Sequence, residues 1–313
     1  MRVLVTGGAG FIGSHVAEAA LAAGHEVSVL DDLSVGKRAN VPEGARLFEV
    51  DIRDGDAVRG AFAEARPEFV SHQAAQASVA ISVREPAFDA AVNVVGSLNV
   101  MQACVEHDTA RLVFASTGGA IYGEVAEGTL ASESHPTHPL SPYACSKLSV
   151  EHYLAAFSAE HGLASTVLRY ANVYGPRQDP HGEAGVIAIF ARRLIEGEPI
   201  QVNARRTEGD DGCVRDYVHV DDVVAANLAA FEGRIDAPVL NVCTGVATNT
   251  RSLATRLREH LGSPSDLRDG PRRPGDVERS VLDPGALSRV IPDRVPLVDG
   301  LASTANWFRD TGV

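Results

Sequence analysis

Residues 1–13 restrict what this chain can fold into more than any other stretch does. Val3, Leu4 and Val5 form an apolar run suited to a buried parallel strand, and Gly7, Gly10 and Gly13 follow at once. Val16, Ala17, Ala20 and Leu21 then recur at helical spacing as far as Gly24. The order is strand, glycine turn, helix. A dinucleotide's pyrophosphate must come close to the main chain at such a helix start, where amide N–H groups and the helix dipole meet its charge, and a Cβ would hold it off. The last glycine lets helix and strand pack closely.

A glycine motif alone is weak. Here Glu26–Asp31 reads as a second strand ending in an acid, which is the context that gives the motif weight. The Asp31 carboxylate can accept both ribose hydroxyls of an adenosine and would repel a 2′-phosphate, so NAD is favoured over NADP. Asp51-Ile52, after a third strand, would close over the adenine. Gln73-Ala74-Ala75, after the fourth strand Phe69–His72, is a small-residue loop that lets a cofactor pass close to the backbone. His72 is read as a core histidine.

A chain of 313 residues suits one large α/β unit or two intimate domains. Net charge is −13 and the 28 Lys and Arg are scattered, so no basic face for nucleic acid is expected. Four cysteines without metal or redox spacing point to reduced thiols and a cytoplasmic setting, and no metal site is expected. The first strand starts at residue 3, which leaves no room for a signal peptide. No apolar run of membrane-spanning length is seen, and no membrane partner is expected.

Leu112–Ala115 reads as a fifth strand that delivers Ser116-Thr117 to its carboxyl end, where open parallel sheets bind ligands. Residues 124–141 read as a surface loop. Ser141-Pro142 caps and starts a long helix to about His161, and Tyr143 and Lys147 share one face of it. Ala164–Tyr170 is a sixth strand, and Val214–Val220 is expected back beside the sheet. The fold class is therefore α/β: a Rossmann-type doubly wound parallel sheet with a smaller, interleaved C-terminal substrate-binding domain. The first domain is expected to span 1–175 plus about 215–248, and the second about 176–214 plus 249–313.

A free tyrosine, with a pKa near 10, is too weak a base at neutral pH. A lysine ammonium one turn away and a positive nicotinamide favour its phenolate. Tyr143 and Lys147, with Thr117 or Ser116 on the same substrate hydroxyl, therefore make a candidate proton-transfer site beside a hydride acceptor.

Thr6-Gly7-Gly8-Ala9-Gly10-Phe11-Ile12-Gly13, Ser116-Thr117 and Tyr143-x-x-x-Lys147 together resemble the extended short-chain dehydrogenase/reductase family over almost the whole chain. Within it, Asp31-Asp32-Leu33-Ser34, Asn172–Gly175, Val214–Val220 and Arg273-x-x-Asp276 resemble the UDP-sugar 4-epimerases, chiefly those of UDP-glucose and UDP-galactose. That resemblance implies a transient 4-keto sugar and inversion at carbon 4. It implies that Phe11, Ile12, Asp32, Ser34, Asn93 and Tyr170 join the cofactor set, with Tyr143 and Lys147 contacting cofactor as well. Asn172, Arg215 and Arg273 would hold the UDP, and Asp276 its ribose. It also implies a homodimer through the helices near 88–107 and 142–161.

The chain departs from that pattern at three points. Gly118-Gly119 stand where sugar 4,6-dehydratases and decarboxylases carry acids, which speaks against both reactions. The stretch from Thr117 to Tyr122 is one residue longer than usual, which leaves Ser116 and Thr117 both open as the catalytic hydroxyl. Ser280 replaces a bulky tyrosine, making room at the sugar's 2-substituent for an N-acetylhexosamine. The alternatives are a UDP-glucuronate 4-epimerase, with Arg177 or the 181–187 loop supplying a partner for the carboxylate, and a non-catalytic NAD-binding regulator.

Overall fold

The structure is a computed structural model that describes residues 1–181, 185–273 and 275–312. The chain divides into two compact units that interleave in sequence. The first holds residues 1–117, 141–169 and 224–240, and the second holds 118–140, 170–223 and 241–313.

The first unit is built on strands β1 (Arg2–Thr6), β2 (Glu26–Asp31), β3 (Arg46–Glu49), β4 (Phe69–His72), β5 (Arg111–Thr117), β6 (Ser165–Tyr170) and β7 (Val239–Val242). They lie in the order β3-β2-β1-β4-β5-β6-β7, and the pairs β1–β2, β2–β3, β1–β4 and β4–β5 are parallel. Chain direction through the sheet reverses between β1 and β4, the position where doubly wound sheets open a crevice.

The helices packed on this sheet include α1 (Phe11–Ala22), α2 (Gly55–Ala65), α3 (Pro86–Glu106) and α4 (Pro142–His161). Local sequence sets their ends. Asp54 caps α2 by accepting from Ala57 N at 3.0 Å, and Ser141 caps α4 by accepting from Ala144 N at 3.2 Å, with Pro142 in the first turn. Gly162 ends α4 at φ 71°. Val150 and Leu154 of α4 are buried in the core with Val100, Met101 and Phe114, and Phe157 packs against it.

The helix expected over about 88–107 begins earlier, and its middle, Ala91–Gly96, winds as a π-helix. Contrary to the sequence expectation, α3 is long and apolar enough to cross a bilayer by length and composition. Its physical role here is that of a core helix: Val100, Met101, Ala103 and Cys104 are fully buried, and Ile52 fills the space that Gly96 leaves open.

In the second unit Asn172–Tyr174 pairs in parallel with Tyr217–His219, and Leu267–Gly270 with Ile200–Asn203. Val214–Arg215 lies between Thr248–Asn249 and Arg279–Ser280. Val214–Val220 therefore feeds two small sheets. Residues 124–141 are not simply a surface loop. Val125 N donates to Arg279 O and Ala131 N to Val281 O, and both side chains are buried. The Arg279 guanidinium closes this segment by donating to the carbonyls of Val125, Ala126 and Thr129.

A buried ion pair ties α4 to β6. Arg169 donates to Glu151 through Nε at 3.1 Å and Nη2 at 2.6 Å, and Ser116 Oγ adds a third bond at 2.5 Å. Removing one partner of a buried pair leaves an uncompensated charge. Arg169→Met is thus expected to lower the unfolding free energy by about 3–5 kcal/mol in urea titrations. A loss below about 1 kcal/mol, the range of exposed pairs, would show that the pair bears no such load.

Candidate active site

The three motif glycines differ in what surrounds them. Gly7 has φ +67°, and a Cβ there would meet Ala74 N at 2.6 Å. A Cβ on Gly13 would lie 2.1 Å from Gly7 O. Both are required by the packing of the protein itself, β4 loop on β1 and helix on turn. Gly10 is different. Its backbone is extended, and a Cβ would approach only Gly7 O, at 3.2 Å. The space beside Gly10 is open at the start of α1, which has no side-chain cap and no acid in its first turn. A helix start with open space and no side-chain cap suits a diphosphate, so the residues present fit a dinucleotide.

The other predicted cofactor residues of the first unit surround the same turn or its neighbours. Asp31 ends β2 and is buried, with Oδ2 accepting from Ala9 N at 3.0 Å and Oδ1 from Leu33 N at 2.9 Å. Burial raises its pKa more than these amide bonds lower it. Asp32 Oδ1 accepts from both N and Oγ of Ser34, fixing the loop after β2. Asp51 is held by the Arg53 side chain, which keeps its carboxyl below the usual range. Ile52 packs on Gly96. Gln73 N donates to Thr6 O and Ala74 N to Thr6 Oγ1, which presses the 73–75 loop against the glycine turn. Phe11 meets His15 edge-on. Asn93, in the π-turn, is buried and bonds both backbone groups of Gln76. Tyr170 lies in the second unit and is buried.

The predicted catalytic set comes together at the end of β5 and the start of α4. Lys147 is buried, with Nζ donating to Ala115 O at 2.9 Å and lying 4.8 Å above the Phe114 ring. Tyr143 is half-buried, one turn earlier on the same face. The two candidate hydroxyls have different surroundings: Thr117 acts on the Tyr143 phenol, lowering its pKa slightly, while Ser116 Oγ donates to Glu151 at 2.5 Å.

Burial, reinforced by the charge of Asp89, pushes the Tyr143 phenol up to about 12 rather than down, and Thr117 offsets this only in part. Burial also brings Lys147 down to about 8, with Asp89 and Glu151 acting the other way.

Of the predicted nucleotide-sugar residues, Thr117 and Tyr143 lie in the first unit, and Asn172, Arg215, Arg273, Asp276 and Ser280 lie in the second. Arg215 and Ser280 are paired neighbours in its three-stranded sheet. Asn172 Nδ2 donates to Asp216 O at 3.1 Å, and the Asp216 carboxylate is buried among donors from Thr244, Gly245 and Leu282. Arg273 is exposed. Asp276 is half-buried. Ser280 is buried, and its Oγ has no hydrogen-bond partner among the described residues. Arg177 lies in the left-handed region at φ 67°. Of the 181–187 loop weighed for a uronate carboxylate, residues 182–184 lie outside the described residues.

With this geometry in place, the comparisons with known proteins bear on it directly. Residues 3–243 match the model of the NAD dependent epimerase/dehydratase family. The chain belongs to that family. A UDP-glucose 4-epimerase of Mycolicibacterium smegmatis is 43% identical over 317 residues, covering 99% of each chain. Among solved structures, the UDP-glucose 4-epimerase of Thermus thermophilus in complex with NAD is 53% identical at TM-score 0.94, covering 99% of each chain. That of Thermotoga maritima with UDP-glucose is 45% identical at TM-score 0.92, covering both chains fully. The family's sheet and its dependence on NAD agree with the glycine turn, the acid ending β2 and the fold described above.

Sequence reading missed the buried charges behind the site: Asp89, and the Glu151–Arg169 pair. Glu151 was within reach, since it stands one helical turn after Lys147 on the same face. Asp89 sits alone in an apolar stretch, and nothing local marks it.

Gly10 and Gly13 separate cofactor space from protein packing. Gly10→Ala is expected to keep the melting temperature within a few degrees while purified NAD content falls. Gly13→Ala is expected to lower the melting temperature itself. Equal behaviour of the two in thermal melts would contradict the distinction.

Proposed function

We propose that this protein is a UDP-hexose 4-epimerase that interconverts UDP-glucose and UDP-galactose. The observation that carries this is Tyr143 one turn before the buried Lys147 ammonium, which is held at the end of β5, with no acid after the Thr117 hydroxyl. A proton-transfer tyrosine without an adjacent acid suits oxidation and return at one carbon better than elimination of water. The dinucleotide fold and the family give the hydride partner, and full-length similarity to UDP-glucose 4-epimerases supports the substrate.

Bound NAD, along Gly7–Gly13 with its adenosine ribose at Asp31, would supply hydride acceptance and return. Tyr143 takes the proton of the sugar 4-hydroxyl and gives it back after carbon 4 has inverted. Thr117 orients that hydroxyl; Ser116, committed to Glu151, holds the end of β5 in place. Lys147 stabilises the phenolate by its charge. Asn172, Arg215 and Arg273 take the diphosphate and uridine, and Asp276 the uridine ribose, since guanidinium forks match phosphate oxygens.

The direct test follows sugar configuration by chromatography after addition of UDP-glucose. UDP-galactose should form and nicotinamide fluorescence should rise transiently. Neither change, in a protein that retains NAD, would favour a non-catalytic binding role. In the same assay UDP-GlcNAc should be turned over, because the small buried Ser280 leaves space at the 2-substituent. Ser280→Tyr should remove that activity and spare UDP-glucose, and equal loss of both would reject this role.

A homodimer through α3 and α4 is also part of the reading. Phe88, Val95 and Tyr153 on these helices are exposed, whereas Val150 and Leu154 belong to the core. Light scattering should give twice the mass of 33.0 kDa. A monomer at micromolar concentration would refute it.

A further inference from the structure

Asp89, on α3, is fully buried. The hydrogen bonds it accepts come from neutral groups: Gln76 Nε2 at 2.7 Å and Asn93 Nδ2 at 2.9 Å on Oδ1, and Ser146 Oγ at 2.6 Å on Oδ2. No ion pair reaches it among the described residues. Ser146 adjoins Lys147 and stands one turn after Tyr143, so this bond docks the carboxylate directly behind the pair on α4. Three donors satisfy the oxygens of a buried carboxyl that has no cation at hand.

The other charges facing the pair are already matched. Glu151, on the same helix, is neutralised by Arg169 from β6. His72, on β4, is fully buried and held neutral, its pKa pushed down to about 3 by burial. Arg84 and Glu85, before α3, and Glu106, at its end, are exposed to solvent. Among the described residues facing the pair, Asp89 is the carboxyl without an ion pair of its own, beside the Lys147 ammonium. Its field favours the proton on both Lys147 and Tyr143.

We propose that Asp89 is the counter-charge of the Tyr143–Lys147 pair, a positioning residue that keeps Lys147 an ammonium from the far side of α4. The proposal rests on the reading of Tyr143 as the proton-transfer group. Its consequence has a definite sign. Without the negative charge, the phenol gives up its proton at lower pH, and so does the ammonium. Both limbs of the pH–rate profile then move towards acid. A carboxylate that only packed the helices together would lower the rate and leave both limbs in place.

The experiment uses the NAD-loaded protein and its Asp89→Asn variant, with folding checked by thermal melting. Ultraviolet difference titration of each against the same protein carrying Tyr143→Phe isolates the ionisation of that phenol without requiring turnover. The phenol should ionise about one pH unit lower in the variant, and both limbs of kcat for UDP-glucose epimerisation should shift the same way. If Asp89→Asn does not fold, Asp89→Ser, which leaves room for a water to serve the three donors, carries the same test. Ser146→Ala, which cuts the link and keeps the charge, should reduce kcat with the limbs unmoved. An unshifted phenol and unshifted limbs in a folded, NAD-loaded Asp89 variant would overturn the proposal. A shifted phenol in a protein that inverts no sugar would support the counter-charge and overturn the assigned function instead.

Discussion

The site depends on an ammonium taken out of water. Lys147 has exchanged bulk hydration for one carbonyl, Ala115 O, and the face of Phe114. Such a group stays charged only where the surrounding structure supplies negative potential. That need explains features that otherwise look unrelated: an acid without a cation on α3, an acid one turn along α4, and an arginine on β6 that neutralises the second acid alone. The opposed effects leave Lys147 near 8, so it is still mostly protonated at neutral pH. The same burial that would spoil a surface lysine makes this one a strong local field for the phenol one turn away.

A second thread of buried polar groups joins the glycine turn to this cluster. Ser97 Oγ donates to Asn93 O, so its oxygen is left to accept from His72 Nε2 at 2.9 Å. His72 Nδ1 must then accept from Thr6 Oγ1, at 2.6 Å, and Thr6 Oγ1 in turn accepts from Ala74 N. Each proton has one place to go, and the neutral histidine is the form that satisfies all of them. Asn93 continues the thread to Asp89. The end of β1, the 73–75 loop, the π-turn and α4 are therefore tied by hydrogen bonds of fixed direction. A π-turn gives Asn93 a place inside this chain that a regular helix would shift by one residue.

How much was legible in the sequence follows from how local each cause is. The glycine turn, the Ser141 cap and the face shared by Tyr143 and Lys147 depend on neighbours within a few residues, and each appears where expected. The choice between Ser116 and Thr117 depends on Glu151, which is distant in sequence, and strand alternation alone could not make it. Asp89 is hidden for the same reason: its partners Gln76, Asn93 and Ser146 lie on three separate segments. The small sheets that take up Val214–Val220 follow from pairing with Thr248–Asn249 and Arg279–Ser280, and no period in the sequence announces such short strands. The burial that raises the Tyr143 phenol is likewise invisible to spacing, which shows only the lysine.

The account turns on one phenol as the group that moves the sugar's proton. Its most direct test is single-turnover inversion of UDP-glucose by Tyr143→Phe in a protein that melts normally and retains NAD. Loss of one hydroxyl from an intact site should slow inversion by about 10²–10⁴-fold. Inversion at the full rate in that protein would contradict the account.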